Sequence, residues 1–171
     1  MLNTESETGL NVLMSPEAML QQDLSDALAR GDLRLVYQPL VRLSSGKTIG
    51  YEALLRWDHP KFGLILPTRF VEAAEASGLI VPVGAWVMRD ACQEAALWDN
   101  KLLVSVNVSA VQISAPGFVE MVCAALADSG LSPARLEIEI TETALLDDKG
   151  AARDGLQTLR AMGIRIALDD F

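Results

Sequence analysis

Hydrophobic residues in the second half of the chain follow two alternating spacings. An every-second-residue pattern, typical of strands, covers residues 102–108, 135–141 and 164–168. Helical spacing covers residues 116–129 and 149–162, and a glycine ends each of these segments. Strands that alternate with helices across short loops predict parallel βα units and an α/β fold.

The first half of the chain predicts a different beginning. Ser15-Pro16 is a typical helix start, and apolar residues then recur at helical spacing as far as Gly31. Two strands follow, over residues 33–43 and 48–57, and the turn between them predicts an antiparallel hairpin. Helices are predicted over residues 68–77 and 83–100. Residues 1–14 lack a clear period and predict a tail or linker before one domain over 15–171.

Each of the three later strands has one aliphatic face and one face that becomes polar toward its end. The aliphatic faces are Leu102, Val104, Val106 and Val108; Leu136, Ile138 and Ile140; and Ile164, Ile166 and Leu168. In a βα barrel the aliphatic face packs against helices, and the chemistry lies at the carboxyl ends of the strands. The polar faces then bring Asn107, Glu139 and Asp169 toward Glu52 of the hairpin.

Glu52 and Arg56 lie on one face of the second hairpin strand, together with Leu54, because side chains alternate along a strand. A buried strand rarely carries opposite charges on one face unless each charge has a partner. We interpret Glu52 as a metal ligand and Arg56 as a residue that binds a phosphate, with bidentate geometry.

The set Glu52, Asn107, Glu139 and Asp169 contains three carboxylates, which would repel one another without a cation. Because no Cys or His joins them, Mg²⁺ or Mn²⁺ suits the set better than Zn²⁺ or Cu²⁺. Asp170 points the other way in an ideal strand, but at a strand end it can swing toward a second ion, with Asp169 between the two. Paired ions are a common device for phosphodiester hydrolysis.

Other roles for these residues are open at this point. A strand-end carboxylate can cap a helix or pair with an arginine, and Arg135 and Arg165 are available. The convergence of four residues on matching faces favours the metal site. His59, in the loop after the hairpin, is either a ligand or a solvated side chain, and we favour the solvated interpretation.

Composition restricts the possible partners. The formal net charge is −9 and no basic block occurs, which argues against a surface for DNA or RNA. A nucleotide substrate stays possible because a bound cation supplies positive charge. Cys92 and Cys123 match no metal or redox spacing and predict buried, reduced thiols in a cytoplasmic protein. Neither a signal peptide nor an apolar run long enough to span a bilayer is found.

Several motifs in order along the chain resemble the EAL domain family, which takes its name from the triplet Glu52-Ala53-Leu54. The resemblance extends from about Ser15 to the last residue. The motifs are Tyr37-Gln38-Pro39, Glu52-Ala53-Leu54-Leu55-Arg56, Val106-Asn107-Val108-Ser109, Glu137-Ile138-Glu139-Ile140-Thr141-Glu142 and Ala167-Leu168-Asp169-Asp170-Phe171.

The resemblance implies a TIM-like (β/α)₈ barrel whose first strand is antiparallel to its neighbour. It implies hydrolysis of the bacterial second messenger cyclic di-GMP to linear pGpG with Mg²⁺ or Mn²⁺. The roles it implies are metal ligation by Glu52, Asn107, Glu139, Asp169 and Asp170, with Glu52, Asp169 and Asp170 as catalytic residues; substrate contacts from Gln38 and Arg56; and ordering of a loop by Glu142.

The sequence departs from the family pattern at its end. About five of the eight strands of a barrel precede Phe171, and the family's later lysine, glutamate and glutamine cannot be assigned. We expect the chain to be the N-terminal portion of a longer phosphodiesterase and to be inactive alone. A homodimer or another partner that completes the barrel, or an open curved sheet, are the alternatives. The rival functions are a non-catalytic cyclic di-GMP-binding module and an interaction module that uses the open sheet edge.

Overall fold

The structure is a computed structural model that describes residues 16–98, 101–141 and 151–169. The elements in chain order are α1 (Pro16–Arg30), β1 (Leu33–Arg42), β2 (Lys47–His59), β3 (Gly63–Ile65), a 3₁₀ turn (Pro67–Arg69), α2 (Val71–Ser77), α3 (Ile80–Ala96), β4 (Leu103–Asn107), α4 (Ala110–Ile113), α5 (Phe118–Ser129), a second 3₁₀ turn (Pro133–Arg135), β5 (Leu136–Thr141), α6 (Ala151–Ala161) and β6 (Arg165–Asp169).

The strands form one mixed sheet in the order β1-β2-β4-β5-β6, and the short β3 pairs with β2. β1 and β2 are antiparallel, while β2–β4, β4–β5 and β5–β6 are parallel pairs. The predicted α/β class, the antiparallel hairpin and the parallel βα units are therefore confirmed. The arrangement corresponds to part of a TIM-like barrel.

The predicted aliphatic faces of β4 and β5 form the centre of the core. Val104 and Ile138 are fully buried, and Val106 and Ile140 are 1% exposed. β6 differs, because its Leu168 is 41% exposed. Within the described residues β6 pairs only with β5 and is therefore an edge strand of the sheet. An edge strand has a neighbour on one side only, so β6 is less buried than the central strands.

Several element boundaries differ from the predictions. α3 begins at Ile80, upstream of the predicted start, because Pro82 is tolerated in the first turn of a helix. Strand β3 and helix α4 were not predicted, since each is too short to produce a period. The predicted helix ends at Gly31 and Gly130 are confirmed, with φ angles of 79° and 69° that a glycine adopts easily. The predicted tail over residues 1–14 lies outside the described residues.

His59 is a structural residue, and the prediction that it is solvated is wrong. It is the last residue of β2 and is 4% exposed. Its Nε2 lies 3.2 Å from Oδ2 of Asp23 in α1. Its Nδ1 accepts hydrogen bonds from the backbone N–H groups of Lys61 at 3.0 Å and Phe62 at 3.3 Å. The imidazole therefore joins α1 to the β2–β3 turn.

Arg135 also has a structural role, at the amino end of β5. Its Nε donates to the carbonyl oxygen of Leu102 at 2.8 Å, and its Nη2 donates to that of Ala95 at 2.7 Å. The guanidinium thus connects the end of α3 to the residue before β4. It lies at the amino end of β5, away from the strand-end carboxylates, which argues against the alternative that it pairs with them.

The two cysteines differ in burial. Cys92 is buried as predicted, whereas Cys123 is only partly buried. Burial raises the pKa of the Cys92 thiol to about 12.

Among the helices of the described ranges, none is by itself long and apolar enough to cross a membrane. One pair, Val71–Ser77 with Ile80–Ala96, reaches that length and composition when combined, although the two helices meet at a bend of 119°.

We predict that His59→Ala lowers the free energy of unfolding by about 1–3 kcal/mol, because it leaves the N–H groups of Lys61 and Phe62 without their acceptor. Urea unfolding monitored by circular dichroism measures the change. Lys61→Ala is the control, since it alters an exposed side chain in the same turn and keeps the backbone. Equal stability of His59→Ala and wild type would contradict the structural role.

We predict that Cys92 resists thiol reagents in the folded protein at pH 8. A thiol whose pKa is about 12 stays protonated at that pH, with only about one part in 10⁴ as reactive thiolate, and Cys92 is also buried. Titration with Ellman's reagent before and after unfolding measures both thiols. In Cys123→Ser protein the native signal should be absent and appear only in denaturant. Rapid native modification of that variant would refute the prediction.

Candidate functional site

The inward side chains of β4 donate hydrogen bonds to carboxylates on both neighbouring strands. Nδ2 of Asn107 donates to Oε1 of Glu52 in β2 at 2.7 Å. Oγ of Ser105 donates to Oε1 of Glu139 in β5 at 2.6 Å, and it lies 3.5 Å from Oε1 of Glu137. β4 therefore connects two acidic side chains that are far apart in the sequence.

Strand register explains these contacts. Glu52 is paired with Ser105 across β2 and β4, and Asn107 is paired with Glu139 across β4 and β5. Because the strands are parallel, their carboxyl ends meet at one edge of the sheet. A half-buried carboxylate there needs hydrogen-bond donors, and Ser105 and Asn107 supply them.

The segment after β4 is held by a capping box at the start of α4. The backbone N–H of Gln112 donates to Oγ of Ser109 at 3.4 Å, and the N–H of Ser109 donates to Oε1 of Gln112 at 3.0 Å. Gln112 is 5% exposed and packs on α3, where Gly84 leaves room for its amide. The box thereby fixes the chain two residues beyond Asn107.

Sequence reasoning missed this arrangement. The spacing Ser109-x-x-Gln112 matches the known capping-box pattern and could have indicated a helix start. The contact with Gly84 could not have been found in this way, because it joins α3 and α4 across the fold.

A cavity of about 460 Å³ adjoins the strand ends. Asn107, Glu139 and Thr141 contribute polar groups to its wall. Its apolar wall comes from β2, α2 and α3 and includes Ala53, Leu54, Leu55, Val71, Ile80, Val83 and Val87. The cavity thus combines a few polar groups from the sheet with a largely apolar surface, which is typical of small-molecule sites.

The first strand reaches the site through Gln38, whose backbone is paired with that of Glu52. The preceding Tyr37 is on the opposite face, where its ring makes an edge contact with Trp98 at 5.2 Å between centroids. Burial, with the nearby charges of Asp90 and Glu94, raises the pKa of Tyr37. Packing of Tyr37 therefore places Gln38 on the face of the sheet that carries Glu52.

Arg56 lies in β2, and Asp169 lies at the end of β6. Nη1 of Arg56 donates to the carbonyl oxygen of Leu55 at 2.8 Å, and the side chain is half-buried. Asp169 is the last residue of β6, and its backbone is paired with that of Thr141. The side chain of Asp169, and both Glu142 and Asp170, lie outside what the structure describes.

The donor chemistry at the strand ends fits a hard divalent cation. Within residues 16–98, 101–141 and 151–169, no three His, Cys, Asp or Glu side chains are grouped closely enough to hold a metal ion. The described donors are the carboxylates of Glu52 and Glu139 and the amide of Asn107. Oxygen donors of this kind suit Mg²⁺ or Mn²⁺.

Comparison with known proteins identifies a matching protein family. The sequence profile of the EAL domain matches residues 21–171. An uncharacterised signaling protein of Caulobacter vibrioides is 47% identical over 152 residues, which are 89% of this chain and 19% of that protein. The bifunctional diguanylate cyclase/cyclic di-GMP phosphodiesterase MucR of Pseudomonas aeruginosa is 41% identical over 169 residues, 96% of this chain and 25% of MucR. The chain therefore spans a quarter or less of the length of these two relatives.

A solved structure agrees with the sequence comparison. The structure of the PaMucR phosphodiesterase in complex with c-di-GMP superposes with a TM-score of 0.85 at 43% identity. The match covers 90% of this chain and 64% of that one.

We predict that Gly84→Ala destabilises the protein by about 1–3 kcal/mol although alanine is the better helix former. A Cβ atom at this position would lie 1.6 Å from Nε2 of Gln112, so the glutamine must leave its place in the capping box. Thermal and urea unfolding measure the effect.

Gly155→Ala in α6 is the matched control for Gly84→Ala. Its Cβ would lie 3.3 Å from Cγ2 of Val119, a contact that a small shift relieves. We expect unchanged or slightly higher stability there. Equal effects of the two substitutions would contradict a specific role for the contact between Gly84 and Gln112.

Proposed function

The chain belongs to the EAL domain family, and we propose that it is part of a phosphodiesterase that hydrolyses cyclic di-GMP to linear pGpG with a divalent cation. The observation that carries this proposal is the hydrogen bond of 2.7 Å from Asn107 to Glu52, with Glu139 paired to Asn107 on the next strand. Three residues with oxygen-bearing side chains thus lie on three neighbouring strands, toward the carboxyl ends of the sheet. The activity of MucR, named as a cyclic di-GMP phosphodiesterase, supports the choice of substrate.

In this proposal Glu52, Asn107, Glu139 and Asp169 hold one Mg²⁺ or Mn²⁺ ion, and Asp170 serves a second. When bound, such cations supply positive charge for the phosphodiester and acidify a water molecule. The chain's own residues orient the site: Asn107 donates its amide N–H to Glu52, which leaves its carbonyl oxygen as the atom for metal ligation. Glu142 orders the adjoining loop.

Arg56 and Gln38 are the proposed contacts to the dinucleotide. The bond from Arg56 to the Leu55 carbonyl involves one nitrogen of the guanidinium, and arginine offers five N–H donors in all. The remaining donors suit bidentate binding of a phosphate. The apolar wall of the cavity beside Asn107 suits a planar base. A cation is needed as well, because the chain's net charge of −9 would otherwise repel an anionic ligand.

The proposal separates metal binding from turnover. The family resemblance also implies a lysine near the attacking water, a further glutamate and a glutamine, and turnover depends on these groups as well as on the metal ligands. We expect the 171-residue chain to bind Mn²⁺ through the residues named above. Turnover is expected of a longer protein that contains this region.

We predict that Glu52→Ala weakens Mn²⁺ binding about tenfold or more, because it removes a carboxylate ligand and the acceptor of the Asn107 amide. Isothermal titration calorimetry of the 171-residue chain measures the affinity. Chromatography of pGpG measures hydrolysis by a longer protein extended past Phe171, in which Glu52→Ala should abolish activity. Glu72→Ala, at an exposed position of α2, is the control.

Equal Mn²⁺ affinity of wild type and Glu52→Ala would refute the metal assignment. Metal-independent binding of cyclic di-GMP by the longer protein, without hydrolysis, would identify a binding module.

A further inference from the structure

Ser105 is the most deeply buried polar side chain of the candidate site. It is 0% exposed and lies on the inward face of β4, one inward position before Asn107. Its hydroxyl is 2.6 Å from Oε1 of Glu139 and 3.5 Å from Oε1 of Glu137. A hydroxyl has one proton to donate, and the shorter distance assigns that proton to Glu139.

We propose that Ser105 is a positioning residue that sets the orientation of the Glu139 carboxylate for metal binding. The proposal rests on the function inferred above and adds a residue that neither the motifs nor the family resemblance singled out. Ser105 acts through Glu139 and does not itself contact the cation or the substrate.

The contact runs diagonally between the strands, which is why it restricts Glu139. In register, Glu139 is paired with Asn107, whereas Ser105 is paired with Glu137. The carboxylate of Glu139 must therefore lean back along the strand to meet the Ser105 hydroxyl. A glutamate side chain has three rotatable bonds, and this hydrogen bond restricts all of them because it is made at the carboxylate.

The chemistry of the donor supports a positioning role. A short O–H···O⁻ bond is among the stronger hydrogen bonds because its acceptor is ionised. A lysine or arginine at this place would also orient the carboxylate, but its positive charge would compete with the cation. The neutral serine orients Glu139 without such competition.

β4 also uses a neutral donor to hold the carboxylate of its other neighbour, β2. Asn107 is also a neutral donor, and its amide holds Oε1 of Glu52 at 2.7 Å. β4 thus presents two neutral donors in succession, one for the carboxylate of β5 and one for that of β2. The difference is that Asn107 is exposed and lines the cavity, whereas Ser105 is fully buried behind it.

The test is the affinity of the 171-residue chain for Mn²⁺ alone, measured by isothermal titration calorimetry. We expect Ser105→Ala to weaken binding by about 10–100-fold, the usual effect of losing an outer-shell partner of a metal ligand. Ser105→Cys keeps the approximate volume with a weak donor, and should weaken binding as well. Ser129→Ala is the matched control, because it removes a hydroxyl that donates to Ala125 at 2.7 Å within α5.

A double-mutant cycle separates action through Glu139 from a general effect on the site. In Glu139→Gln protein, addition of Ser105→Ala should change Mn²⁺ affinity less than about threefold, because the carboxylate that Ser105 orients is already gone. If Ser105→Ala weakened Mn²⁺ binding by about 10–100-fold in Glu139→Gln protein as well, the proposal would be overturned. Affinity of both Ser105 variants within about threefold of wild type would overturn it too.

Glu139→Gln alone separates a failure of the proposed metal site from a failure of the proposed role of Ser105. Weaker Mn²⁺ binding by Glu139→Gln with unaltered binding by Ser105→Ala would refute the role of Ser105 and leave the proposed metal site intact. Equal binding by wild type and Glu139→Gln would refute the metal assignment of Glu139 and, with it, the inference about Ser105.

Discussion

The parallel register of β4 between β2 and β5 is the constraint on which the candidate site depends. It pairs Glu52 with Ser105 on one side and Asn107 with Glu139 on the other. A slip of one residue would turn every inward side chain of β4 outward. The valines of β4 would then face the carboxylates, and Ser105 and Asn107 would lie against the helices. Burial of Val104 and Val106 in the core therefore stabilises the register that also aligns the polar groups.

Local sequence patterns predicted much of this arrangement. Alternation along β4 and β5 was enough to place Asn107 and Glu139 on one face and the aliphatic residues on the other, since that pattern depends only on the pleat of each strand. The antiparallel hairpin followed from its turn residues. The family resemblance then supplied roles for Gln38 and Glu142 that spacing alone could not, and these roles stay predictions.

Contacts between distant elements could not be predicted in the same way. The burial of His59 depends on Asp23, which reaches it from α1, and neither residue indicates the other in the sequence. The donor role of Ser105 depends on the diagonal offset between two strands, which the sequence does not show. From the sequence alone, a serine in a strand is most simply interpreted as a small residue that fills space. Arg135 seemed available for a carboxylate, yet two backbone carbonyls of α3 and the following loop use its guanidinium.

The position of Arg135 affects local unfolding at the end of α3. Its two hydrogen bonds join residues that are 33 and 40 positions apart, so one side chain closes the crossover from α3 through β4 to β5. Fraying of the last turn of α3 would break the hydrogen bond from Arg135 to Ala95 and would thereby loosen the start of β5. The end of α3 and the beginning of β5 are therefore coupled in local unfolding through one side chain.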